Sequence, residues 1–242
     1  MRRRRAGGVG IVSARTVVLT REAGYNDELR QWIPAGYDVT EVPLTTTHYE
    51  SLETVRERLE DATNVPFETL VVTSVRTQRY LDLVRPFVAP DVVVATVGAA
   101  TAGVLAEAGF PVSLQSDIAA AALAPDITRG PVLLLGAEES HPALPDSLLR
   151  QGLAVAPVAC YQTLPAELDE QAHTALATAD VVIIAAPSAW RVAQPFVRPS
   201  TLVVVPGATT HAAVAASHPR VAVAWGEAVT RLLATRDVGS LG

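Results

Sequence analysis

Hydroxyl, arginine and glycine residues recur at the ends of apolar runs in this 242-residue chain. They are Thr20-Arg21, Thr73-Ser74-Val75-Arg76, Gly98-Ala99-Ala100-Thr101, Gly136, Pro187-Ser188 and Gly207-Ala208-Thr209-Thr210. If each run is a strand and a helix follows, these residues stand at strand C-terminal ends, where open α/β sheets hold ligands. Free N–H groups at the helix starts there favour anions, carboxylates included. Each residue taken alone also reads as a helix cap, because Ser and Thr are preferred N-caps. Six such ends in two matching sets point to a site. Tyr161 stands apart, after an apolar strand and before Gln162-Thr163. Its phenol is either a core aromatic with a wet tip or a proton donor.

Other chemistries lack their residues. The chain has no Lys, which removes Schiff-base and P-loop lysine chemistry. No Gly-x-Gly-x-x-Gly, Walker loop or Gly-x-Ser-x-Gly elbow occurs. His48, His141, His173, His211 and His218 show no metal-ligand spacing, so no metal site is expected. Cys160 is the sole cysteine, which rules out an intrachain disulfide and fits a cytoplasmic setting. It reads as a small buried hydrophobe. A net charge of −6 argues against a nucleic-acid partner, which would call for a basic face. No apolar stretch approaches the ~20 residues of a membrane span.

The elements that must position these residues are legible as apolar runs. They fall at 16–20, 39–44, 69–73, 92–97, 112–114, 132–135, 154–161, 181–185, 202–205 and 221–225. Most are uninterrupted, as strands covered on both faces should be. Helical spacing is clearest over 26–33, 51–62 and 166–177. Alternation of the two predicts α/β with parallel sheets. The chain also reads twice. Val17-Val18-Leu19-Thr20-Arg21 lines up with Val132-Leu133-Leu134-Leu135-Gly136, and Gly98 with Gly207. A duplicated α/β unit has its natural binding place in the cleft between halves. The runs 39–44 and 154–161 each carry a proline, Pro43 and Pro157. Proline suits an edge or a connection, so these two are expected to form a pair of strands joining two sheets. Residues 1–14, with Arg2 to Arg5, read as a disordered basic tail.

Several short fragments stand in a fixed order along the chain. They are Val-Leu-Thr-Arg at 18–21, Val-Pro-Leu at 42–44, Val-Thr-Ser at 72–74, and Val-Gly-x-x-Thr-Ala-x-x-Leu-x-x-x-Gly at 97–109. Ala-Cys-Tyr-Gln-Thr at 159–163, Ala-Pro-Ser at 186–188 and Gly-x-Thr-Thr at 207–210 follow in order. In this order and spacing the fragments resemble the uroporphyrinogen-III synthase family. The resemblance implies two parallel-sheet α/β domains joined by a two-stranded β-ladder with a cleft between them. Domain 1 would be 15–40 plus 163–242, and domain 2 would be 41–162. It implies cyclisation of hydroxymethylbilane with inversion of the terminal pyrrole and loss of water, by a cytoplasmic, cofactor-independent monomer. Tyr161 matches the family tyrosine suspected of hydrogen bonding to the departing hydroxyl. Thr20, Arg21, Thr73, Ser74, Arg76, Gly98, Thr101, Gly136, Ser188, Gly207, Thr209 and Thr210 would bind substrate. The chain departs from the family at Ala185-Ala186 and Ala100, where hydroxyls are common. A non-catalytic tetrapyrrole-binding module derived from the family is the alternative.

Overall fold

The computed structural model describes residues 14–235, so all but the last residue of the basic 1–14 segment lies outside the described residues. The chain runs β1 (Arg15–Leu19), α1 (Asp27–Gln31), β2 (Tyr37–Glu41), β3 (Thr45–Tyr49), α2 (Leu52–Ala62), β4 (Phe67–Val72), α3 (Leu81–Val84) and β5 (Val88–Val97). It continues through α4 (Ala99–Glu107), β6 (Leu114–Ser116), β7 (Val132–Ala137), α5 (Ala143–Arg150) and β8 (Val155–Pro165). Last come α6 (Glu170–Thr178), β9 (Val181–Ile183), α7 (Pro187–Ala193), β10 (Leu202–Val205), α8 (Ala208–Ala215), β11 (Val221–Val223) and α9 (Glu227–Ala234). The protein divides into two compact units. One takes in the chain up to Thr46 and from Leu164 onward, and the other is Thr47–Thr163.

The first unit holds a five-stranded sheet in the order β11-β10-β9-β1-β2, with every neighbouring pair parallel. Its central strands are apolar at successive positions because both faces are covered. Val18, Val182, Ile184, Val203 and Val205 pack on one face with Leu176, Trp190 and Val214. Val17, Leu19, Val181, Ile183, Leu202 and Val204 pack on the other with Leu29, Val229 and Leu233. Burying one such side chain contributes roughly 1.5–3 kcal/mol, so these runs dictate a two-sided core. Pro43 follows the edge strand β2. The N–H groups of Val42 and Leu44 still donate to Leu19 and Thr20 carbonyls, at 2.9 and 3.3 Å, and the nitrogen of Pro43 falls between them. An edge tolerates that missing donor.

The second sheet runs β3-β8-β7-β4-β5-β6. From β8 through β7, β4 and β5 to β6, each strand runs parallel to the next. Leu70, Val72, Leu133, Leu135 and Val158 pack on one face and Val71, Ala95 and Val132 on the other. Pro157 lies opposite Leu134 of β7.

One expectation needs correction. The run 39–44 is not the neighbour of β8: its first part belongs to β2, on the edge of the first sheet. The neighbour of β8 is β3, the Thr-Thr-Thr-His-Tyr stretch, which has no apolar run to announce it. Period-two alternation would put Cys160 and Tyr161 on opposite faces of their strand. The β7–β8 register instead shifts, pairing Gly136 with Ala159 but Ala137 with Tyr161. Cys160 is the extra residue of this bulge, and both side chains pack into the same apolar cluster.

Candidate functional site

In each sheet the strand order reverses direction once. In the first unit β1 leads to β2 on one side and has β9 on the other; in the second β4 leads to β5 on one side and has β7 on the other. Such switch points open a crevice outside the strand C-terminal ends. The structure brings Thr20, Arg21, Ser188, Gly207, Thr209 and Thr210 to that edge of the first sheet. It brings Thr73, Ser74, Arg76, Gly98, Thr101 and Gly136 to the corresponding edge of the second.

The hydroxyls are not equivalent. Thr20 is 1% exposed and its Oγ1 donates to the Ile183 carbonyl at 2.6 Å, which ties β1 to β9 across the switch point. Ser74 accepts the Arg76 N–H at 3.2 Å and so caps the 3₁₀ turn Val75–Tyr80. The capping reading ends there. The N-cap positions of α4, α7 and α8 are Gly98, Ala186 and Gly207, none of which offers a side-chain bond to its helix. Thr101, Ser188, Thr209 and Thr210 lie inside the first turns of these helices. Helix-start N–H groups left without a capping side chain suit an anion.

The two glycines also differ. Gly98 has φ +78°, which only glycine adopts easily, whereas Gly207 is extended at φ −172°. A Cβ at Gly136 would lie 3.5 Å from Thr73 Oγ1, an ordinary contact between the ends of β7 and β4. Beside them a pocket of about 290 Å³ is lined by Thr73, Gly136, Glu138, His141, Leu144 and Pro157 among others.

The arginines are held by neighbours. Arg21 donates its backbone N–H to Asn26 at 3.2 Å, and its guanidinium lies 3.5 Å from exposed Glu28. Arg76 Nε donates to Thr47 Oγ1 at 2.9 Å, and its guanidinium carbon lies 6.0 Å from the centre of the Tyr161 ring.

Tyr161 sits in β8 and is 6% exposed, with its ring 6.3 Å from that of Tyr49. Its phenol makes no hydrogen bond among the described residues. The strand beneath it is clamped. Arg58 donates to the Ala159 carbonyl at 2.6 Å and to Glu50 at 3.0 Å. The Cys160 carbonyl accepts the Glu50 N–H at 2.9 Å and the Tyr80 hydroxyl at 2.8 Å. The Tyr161 carbonyl accepts the Glu138 N–H at 2.8 Å. Burial pushes the Cys160 thiol up to about 12, so at neutral pH it is a protonated thiol rather than a nucleophile. Sequence reasoning missed Tyr80, Arg58 and Glu50. Tyr80 lies eighty residues from Cys160, and no spacing rule links them. Among the described residues no group of three or more His, Cys, Asp or Glu could hold a metal ion, and no helix is long and apolar enough to cross a membrane.

Two compact units, each with a mainly parallel sheet and ligand-type residues at its strand ends, define a two-unit α/β class of protein. The model of the family "Uroporphyrinogen-III synthase HemD" matches residues 28–233, and the chain belongs to that family. A mutant uroporphyrinogen III synthase from the extremely thermophilic bacterium Thermus thermophilus superposes with a TM-score of 0.64 at 17% identity, covering 91% of this chain and 96% of that one. The uroporphyrinogen-III synthetase of Helicobacter pylori gives 0.61 at 19%, covering 90% and 97%. No curated protein matches the chain.

Proposed function

We propose that this protein is a uroporphyrinogen-III synthase acting in tetrapyrrole biosynthesis. It cyclises hydroxymethylbilane, inverting the terminal pyrrole and releasing water. The observation that carries the reading is the family match across residues 28–233.

The substrate is a flexible polycarboxylate, so holding it folded on itself supplies the largest part of catalysis. The uncapped starts of α4 and α8 offer N–H groups to its carboxylates, with Thr73, Ser74, Thr101, Ser188, Thr209, Thr210, Arg21 and Arg76 around them. Thr20 supports this edge through its bond to Ile183. Tyr161 donates to the departing hydroxyl: the C–O bond breaks, its electron pair leaves with oxygen, and the phenolic proton completes water. The azafulvene cation is attacked by the substituted carbon of the last pyrrole, the spiro intermediate rearranges, and the proton lost on re-aromatisation restores the phenol. A phenol is a weak acid, so its share is roughly ten- to thousandfold.

The reading assigns one domain to 15–40 plus 163–242 and the other to 41–162. Their strand orders support a duplication, since β2-β1-β9-β10-β11 and β8-β7-β4-β5-β6 place β1 opposite β7 and β10 opposite β5. These are the pairs whose sequences align. The boundaries between the units fall within β3 and within β8, which neighbour each other, as a connecting ladder requires. The enzyme is read as a cytoplasmic monomer that needs no cofactor. The test is a coupled assay of chelator-treated protein with freshly made hydroxymethylbilane. Uroporphyrinogen III is the expected product; the I isomer alone at the spontaneous rate refutes the reading.

A further inference from the structure

We propose that Tyr80 is a positioning residue, which through the β8 bulge sets where the Tyr161 phenol points. The inference rests on the catalytic reading of Tyr161 above. The bulge takes Cys160 out of the β7–β8 register, so the ladder alone does not fix the backbone leading into Tyr161. Bulges re-aim side chains next to active sites. Here three successive carbonyls, of Ala159, Cys160 and Tyr161, are gripped by Arg58, by Tyr80 with the Glu50 N–H, and by the Glu138 N–H. Tyr80 is the most deeply seated of these groups, with its ring wholly buried in the same apolar cluster as Tyr161. Its hydroxyl reaches both Glu50 O, at 2.7 Å, and Cys160 O, at 2.8 Å. Phenylalanine would fill the core equally well, and a buried hydroxyl is costly unless bonded. The hydroxyl therefore earns its place through the backbone it holds. It joins the start of the α2 segment to the extra residue of the bulge, so the direction of Tyr161 is referred to a rigid core. Misplacing a reacting group by about 1 Å can cost on the order of a hundredfold.

The test compares wild type, Tyr80→Phe, Tyr161→Phe and the double variant in hydroxymethylbilane turnover. A second readout is the fluorine NMR signal of 3-fluorotyrosine placed at position 161. In Tyr80→Phe, kcat should fall about tenfold with KM within about twofold, as expected for a misdirected group acting in the transition state. In the Tyr161→Phe background the same change should add no further loss, because contacts acting through one residue are non-additive. The fluorine signal should shift or broaden in Tyr80→Phe. Unchanged kcat, multiplying losses or an unmoved fluorine signal overturns the inference. Wild-type turnover in Tyr161→Phe instead refutes the catalytic reading, and the fluorine signal then still decides whether Tyr80 places the ring. Arg58→Lys, which keeps the charge but loses the fork between Ala159 O and Glu50, serves as a second variant with the same readouts.

Discussion

Cys160 and Tyr161 adjoin in the chain but are suited to opposite tasks. The thiol is fully buried and ionises only near 12, mainly because burial disfavours the thiolate. Its ordinary value is 9.0, so between 9.0 and about 12 the unfolded chain binds fewer protons here than the native one. Stability from this group is therefore fully present below pH 9 and is lost as pH rises through that window. Tyr80, also raised by burial, acts in the same direction. Urea midpoints measured from pH 8 to 10.5 should fall, and fall less steeply in Cys160→Ala. That variant should lose about 1 kcal/mol of stability from the space the sulfur vacates, yet keep its turnover. Tyr161→Phe should do the reverse. Packing in the cluster persists, turnover drops about tenfold or more, and binding of an unreactive bilane analogue changes little. Equal turnover in Tyr161→Phe and wild type would remove the phenol from the mechanism.

The elements that carry the candidate site show what a sequence can and cannot reveal. The alignment of Gly98 with Gly207 suggests one role for both, but their backbones differ. Gly98, with φ +78° and ψ 147°, occupies a region closed to other residues, while Gly207 is extended. A Cβ would meet nothing within 4 Å at either position. Gly98→Ala should therefore cost roughly 1–3 kcal/mol through backbone strain alone. Gly207→Ala should leave the melting temperature unchanged while raising KM, since the added methyl enters space left open at the start of α8. An unchanged KM would show that no ligand approaches there. The uninterrupted Val and Leu runs made the parallel core strands legible, because burial on both faces leaves one unmistakable composition. β3 was hidden because Thr-Thr-Thr-His-Tyr pairs through its backbone and buries little. The bulge was hidden because a register shift is set by the partner strand, and nothing in Ala159-Cys160-Tyr161 marks it. The candidate residues at strand ends were legible as types, whereas the clamp from Tyr80 and Arg58 depends on contacts that only the fold creates.

At the scale of the whole molecule, β1 sits in the middle of its sheet, between β2 and β9, and pairs Val17 with Val181. The second unit, by contrast, is one continuous stretch, Thr47–Thr163. This has a consequence for the order in which the protein can be made. On a ribosome, the middle stretch can close its own sheet as soon as it emerges, while β1 waits for a partner some 164 residues later in the chain. During that interval the apolar strand Val17-Val18-Leu19 has only β2 beside it, an arrangement prone to pairing with other chains. A chain ended at Thr163 should therefore show slow amide exchange in β4, β5 and β7 and fast exchange in β1. Protection of β1 in that shortened chain would show that the first unit does not depend on its distant half. The early-born end of this protein is thus a client for whatever shields nascent chains, and the last third to be synthesised is what releases it.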